Sequence, residues 1–131
     1  MMKRGMLNSD IAKVLADLGH TDQIVIGDCG LPVPDGVKKI DLALELGFPT
    51  FEQVLRVVLT EMEVEAVYIA DEIKVHNVSQ LEAIEALIGG TTKHFISHET
   101  FKTQSKQAKV IIRTGEITPY SNIILQSGVI F

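Results

Sequence analysis

The sequence has no tryptophan, two tyrosines and a single cysteine in 131 residues. A lone Cys29 permits no intrachain disulfide and no cysteine-based metal cluster, so a reducing cytoplasm is the expected compartment. The twelve Lys and Arg residues are scattered along a chain of net charge −5. That leaves no clustered basic face of the kind nucleic acid requires. No apolar run approaches the roughly 18 residues of a membrane-spanning helix, and the basic opening stretch, Met1–Asp10, lacks the apolar core of a secretory signal. Asn77-Val78-Ser79 fits a glycosylation acceptor, but the triplet carries meaning only in a secreted chain. Cofactor signatures are missing too. No GxGxxG follows the first expected strand, and neither GxxxxGKS, GxxxxGKT nor HExxH occurs. His94 and His98 stand four apart, a metal-ligand spacing on a helix, but Phe95 and Ile96 between them read as strand and no third ligand is evident. No cofactor and no metal are expected.

What is present is enough apolar material, 46% of residues, for one ordinary core, and a single domain spanning 1–131 is expected. Asn8-Ser9-Asp10 offers helix caps before Ile11, Val14, Leu15 and Leu18, with Gly19 able to close the helix. Gln23-Ile24-Val25-Ile26 reads as a buried strand, and Ile40–Leu44 alternates like another. Phe51, Val54, Leu55, Val58, Leu59 and Met62 give the clearest helix, with Thr50 and Gln53 at capping-box spacing. Ala66–Ala70 is a further strand. Ser79 and Glu82 repeat the capping-box spacing before a helix stopped by Gly89-Gly90. His94–Ile96 and Val110–Ile112 are short strands, and Ile123–Leu125 and Gly128–Phe131 close the chain as extended segments. The fold class is therefore α/β: a mostly parallel, mixed sheet flanked by helices, a Rossmann-like three-layer arrangement with antiparallel C-terminal strands. An apolar segment running to Phe131 implies a buried C-terminus, for instance between subunits.

Polar residues gather where α/β sheets bind ligands, past the carboxyl ends of strands. Asp28 follows the first strand, Asp71 the middle one, His98 the third, and the Thr114–Asn122 segment the fourth. Asp, His, Tyr and Asn suit a sugar, whose hydroxyls both donate and accept hydrogen bonds. Each has a plainer reading. Asp28 can cap a turn beside Gly30, Asp71 can be a surface acid, and His98 can occupy the first turn of a helix capped by Ser97. Lys102 would then share its face. Arg113 and Glu116 can form an ion pair. His20 follows the first helix, whose negative end favours a protonated imidazole. That suits a general acid, or merely neutralises the helix end.

Taken together, the blocks Gly5–Ser9, Leu15–Asp22, Asp28–Gly36, Ser97–Glu99 and Arg113–Asn122 resemble the D-ribose pyranase family of sugar mutarotases, which includes L-fucose mutarotase. The likeness runs nearly end to end. It implies interconversion of the β-pyranose and β-furanose forms of free ribose. It places a general acid at His20 and substrate contacts at Asp28, His98, Tyr120, Ser121 and Asn122. It also implies a ring-shaped homo-oligomer, often a decamer. Cys29 and Ser121 stand where alanine is expected. An L-fucose-type mutarotase and a non-catalytic sugar-binding module of a ribose uptake system are the alternatives. A third is a structural oligomer whose polar loops only cap strands. One tension is geometric: His20 precedes the first strand and Asp28 follows it, so roughly 15 Å of extended chain separates them. A pocket mixing residues of two subunits is expected.

Overall fold

The structure is a computed structural model describing residues 1–131. In chain order the elements are α1 (Ser9–Asp17), β1 (Gln23–Gly27), β2 (Lys38–Asp41), α2 (Phe51–Glu61), β3 (Val64–Ala70), α3 (Ile73–His76), α4 (Val78–Ile88), β4 (Thr92–Ile96), α5 (His98–Ser105), β5 (Val110–Arg113) and β6 (Ile123–Ser127). The strands form one sheet in the order β2-β5-β1-β6-β3-β4. All neighbours pair parallel except β6, which runs antiparallel to both β1 and β3. The carboxyl ends of β1, β3, β4 and β5 thus share one end of the sheet with the start of β6. The starts of β1 and β3 share the other end with the finish of β6.

The alternation of β1 divides the core. Ile24 and Ile26 face a large cluster with Ile11 of α1, Phe51, Leu55 and Val58 of α2, and Ile84 of α4. Val25 faces a smaller cluster with Phe101 of α5, Ile111 and Ile124. Strands covered on both faces are apolar throughout, which is why Ile123, Ile124 and Leu125 are all buried. No helix is long and apolar enough to cross a membrane.

Local signals set the helix starts. Asn8 caps α1 by accepting from the Ile11 amide, and Thr50 and Gln53 close a reciprocal capping box on α2. Three expectations fail. Gly19 does not close α1, whose cap is Leu18 in extended conformation; Thr21 takes the left-handed turn instead, at φ 70°. Ser79 does not cap α4: the short helix α3 ends at Asn77, and that side chain accepts from the Gln80 amide. Finally, the chain beyond Ser127 is no strand, so the C-terminal segments do not pair with each other; the antiparallel strand is β6 alone, which lies between β1 and β3. Within the single chain Ile130 and Phe131 are 91% and 100% exposed, so the C-terminus is not buried by its own subunit.

Candidate active site

At the carboxyl end of the sheet, β1 stops at Gly27 and delivers Asp28 beside the residues that lead into β6. The Asp28 amide donates to Asn122 Oδ1 at 2.9 Å, and its carboxylate accepts from the Gly30 amide at 2.9 Å. The turn-capping reading of Asp28 is therefore satisfied, and the same carboxylate also faces the site. Burial pushes the Asp28 carboxyl above its ordinary range, with the Gly30 amide, the Asn122 side chain, the Leu31 amide and the charge of His98 each drawing it partly back. His98 opens α5, whose cap is Ser97 accepting from the Thr100 amide. The His98 amide donates to Glu72 Oε2 at 2.9 Å, which anchors the backbone. Its ring packs edge-on to Tyr120, centroids 5.2 Å apart, and its Nδ1 is buried without a hydrogen-bond partner in the chain. Tyr120 sits at φ 56°, a conformation that costs a bulky residue energy and is retained where surroundings impose it.

A buried polar cluster holds the Thr114–Asn122 loop. Glu116 Oε1 accepts from the Phe51 amide at 3.1 Å and from Gln80 Nε2 at 3.3 Å. Its Oε2 accepts from Thr118 Oγ1 at 3.1 Å. Gln80 Nε2 also donates to Ser121 Oγ at 3.0 Å. The hydroxyl of fully buried Ser121 is thus spent inside this cluster. Glu116 does not pair with Arg113. The guanidinium instead grips Asp41 at 3.0 Å and the Cys29 carbonyl at 3.1 Å.

His20 lies at the opposite end of the sheet, half-exposed, past the end of α1. The turn carrying it is pinned by the Thr21 amide donating to the Ser127 carbonyl at 2.9 Å. Its Nε2 stands 2.8 Å from Glu65 Oε2, and Glu65 Oε1 accepts from Gln126 Nε2 at 2.7 Å. These two hydrogen bonds, Gln126 first and His20 second, hold the Glu65 carboxyl below its ordinary range. Open apolar surface from Leu15, Leu18 and the Val129–Phe131 tail adjoins His20.

Asp28, His98, Tyr120 and Asn122 therefore converge within one chain, and His20 does not join them. Asp71 is occupied by Lys74 at 2.8 Å and Lys102 by Glu99 at 2.7 Å. His94 stacks on Tyr68, centroids 4.9 Å apart. Sequence reasoning missed Glu65, Glu72 and Gln126. The available signal was weak: a polar residue interrupting a strand, Glu65 in β3 and Gln126 in β6, where β-branched neighbours are the rule.

The RbsD / FucU transport protein family model matches residues 1–130. The chain is 60% identical over its whole length, and over the whole of the relative, to a protein named D-ribose pyranase from Exiguobacterium sibiricum. It is 56% identical, with the same full coverage, to one of that name from Bacillus cereus. Among solved structures it matches Bacillus subtilis RbsD complexed with D-ribose at TM-score 0.98 and 55% identity, covering 100% of both chains. It matches the Streptococcus pneumoniae fucose mutarotase in complex with L-fucose at TM-score 0.84 and 26% identity, covering 99% of this chain and 100% of that one. With a family model that matches residues 1–130, a full-length relative 60% identical and the same fold, the chain belongs to the RbsD / FucU family.

Proposed function

We propose that the protein catalyses the interconversion of the pyranose and furanose rings of free D-ribose, and that it does so in the cytoplasm. Full-length identity of 60% to a protein named D-ribose pyranase is the observation that carries the ribose assignment. The strand-end cluster supplies suitable chemistry. Asp28 and the unpartnered Nδ1 of His98 offer one strong acceptor and one group that donates or accepts, matching adjacent sugar hydroxyls. The Tyr120 ring stands perpendicular to that of His98 beside them, and Asn122 holds the Asp28 backbone from within.

Ring opening places a proton on the ring oxygen while the anomeric hydroxyl loses one. The bond between the anomeric carbon and the ring oxygen breaks, leaving an open-chain aldehyde. A different hydroxyl then adds to that carbon and gives up its proton to the base while the carbonyl oxygen gains one from the acid, closing the other ring. No electrons enter or leave. The demand is modest, since the reaction proceeds slowly in water, and one positioned acid or base typically contributes 10²–10⁴-fold. His20 donates the proton to the ring oxygen. Asp28 or His98 takes the proton from the anomeric hydroxyl.

One chain cannot assemble this set, because β1 separates His20 from Asp28. The site is therefore shared: His20 of one subunit completes the Asp28, His98 and Tyr120 cluster of a neighbour in a closed ring, which we take to be a decamer. Exposed Leu44, Leu46, Ile130 and Phe131 supply the apolar surface such an assembly covers. Saturation-transfer NMR on ribose tests the reading. The protein is expected to exchange ring forms of ribose well above the buffer rate and faster than it exchanges those of L-fucose. Ribose binding with exchange at the buffer rate would reduce it to a sugar-binding module.

A further inference from the structure

The pairing at the start of β3 points to a residue beyond those that face the sugar. Between β3 and β6 the register advances from Val64↔Ser127 to Ala66↔Gln126. β3 spends two steps where β6 spends one, so Glu65 is the extra residue of a β-bulge. Bulges of this kind redirect a side chain out of the regular alternation and recur beside active sites. Here the redirected side chain is the one that meets His20 Nε2 at 2.8 Å.

The carboxylate is itself held. Gln126 Oε1 accepts from Gln23 Nε2 at 2.9 Å and from Tyr68 Oη at 3.3 Å. Two donors on that oxygen fix the orientation of the amide, so its Nε2 faces Glu65 Oε1 at 2.7 Å. Gln23 Oε1 is fixed in turn by Gln104 Nε2 at 3.2 Å. The chain of bonds runs across β6 and β1 and leaves Glu65 Oε2 as the oxygen available to the imidazole. On the other side, the left-handed Thr21 and its bond to the Ser127 carbonyl anchor the turn that carries His20. Both partners of the pair are thus clamped by backbone and side-chain contacts at one end of the sheet, whereas an ordinary exposed ion pair is free to wander.

We infer that Glu65 is the positioning residue for His20: it accepts a hydrogen bond from Nε2–H, fixes the tautomer and leaves Nδ1 as the nitrogen that exchanges protons with the sugar. An ionised carboxylate accepts only, so neutral His20 carries its proton on Nε2. The inference rests on His20 acting as the general acid. When His20 is doubly protonated, Nδ1–H donates to the ring oxygen. When it is neutral, Nδ1 accepts the proton back, and the Glu65 bond stays intact throughout. Charge on Glu65 persists at working pH, since its hydrogen bonds to Gln126 and His20 hold its carboxyl low.

The experiment uses the intact assembly, labelled with ¹⁵N-histidine, in wild type, Glu65→Ala, Glu65→Gln and His20→Ala. Imidazole ¹⁵N spectra read the tautomer, and ribose exchange gives kcat and KM separately. Wild-type neutral His20 is expected as the Nε2–H form. Glu65→Ala is expected to give a mixture of tautomers, lowering kcat at least about tenfold while KM for ribose changes little. Glu65→Gln preserves the shape and one acceptor, so it should assemble normally and fall between the two. Wild-type tautomer and kcat in Glu65→Ala and Glu65→Gln, beside an inactive His20→Ala, would overturn the role of Glu65 alone. Full exchange in His20→Ala would overturn the role of His20, and that of Glu65 with it.

Discussion

The two ends of the sheet solve different problems. The carboxyl end is built around burial: Asp28 is desolvated, Asn122 and Ser121 are fully enclosed, and His98 keeps one buried nitrogen without a partner. The opposite end is built around exposure: His20 is open to solvent and held only through Glu65 and an anchored turn. A sugar needs the first kind of surface for grip and specificity, since desolvated polar groups discriminate between hydroxyl patterns. Proton exchange needs the second kind, an imidazole open to an incoming sugar. In the shared site proposed above, the exposed imidazole of one subunit would complete the buried cluster of the next, so that each end supplies what the other lacks. The two non-glycine residues with positive φ, Thr21 and Tyr120, fall one at each end, as expected if strained backbone collects where function imposes geometry.

The contrast can be tested at each end, and the largest expected effect is at the exposed one. His20→Ala should lower ribose exchange by about 10²–10⁴-fold, the range for removal of a positioned acid, while thermal stability stays near wild type. An equal loss of stability would mean that His20 is part of the core architecture and not an open group. Asp28→Asn should behave oppositely. The native state holds the Asp28 proton more tightly than the unfolded chain, so ionising this carboxyl subtracts stability. The subtraction sets in as pH rises from the unfolded value, about 3.9, and grows until the raised native value is passed. Asn keeps an oxygen for the Gly30 amide and removes the charge. Melting temperature should therefore rise at pH 7, the gain should vanish at acid pH, and exchange should fall about tenfold or more. A gain independent of pH, or full activity, would remove the distinction between the two ends.

The smallest effect concerns the loop behind the buried cluster. A Cβ on Gly115 would stand 2.3 Å from the Phe48 carbonyl oxygen and 2.7 Å from that of Glu45. Both are backbone atoms, so Gly115→Ala should cost about 1–3 kcal/mol, the usual range for overpacking, read by chemical denaturation. Gly90→Ala, where a Cβ meets nothing within 4 Å, serves as its near-neutral partner. Equal costs at both positions would mean that the loop is not tightly packed.

How legible this was in the sequence depended on the range of the interaction. The Thr50–Gln53 box, the Ser97 cap and the β-branched strands are local facts, and the chain alone revealed them. Strand-end position singled out Asp28, His98 and the Thr114–Asn122 segment, resemblance gave them roles, and geometry placed Asp28, His98, Tyr120 and Asn122 together. Where a short element intervened, local reading failed: α3 moved the cap of α4 from Ser79 to Asn77. Where pairing was long-range, it failed too. Nothing in Ile123–Ser127 announces that this strand slips between β1 and β3. Without that, Gln126 has no visible connection to Glu65, sixty-one residues away, and Glu65 looks like one more solvent-facing acid. Arg113 and Glu116, close in sequence, face different partners because the loop between them turns Glu116 inward to cap the Phe51 amide.

The shared site is tested most directly by complementation. His20→Ala and Asp28→Asn chains are each assembled alone, then unfolded, mixed in equal amounts and reassembled, and ribose exchange is measured. If each site takes His20 from one subunit and Asp28 from the next, about a quarter of the mixed sites regain both groups and activity returns to about that fraction of wild type. A mixture no more active than its two parents would contradict the account.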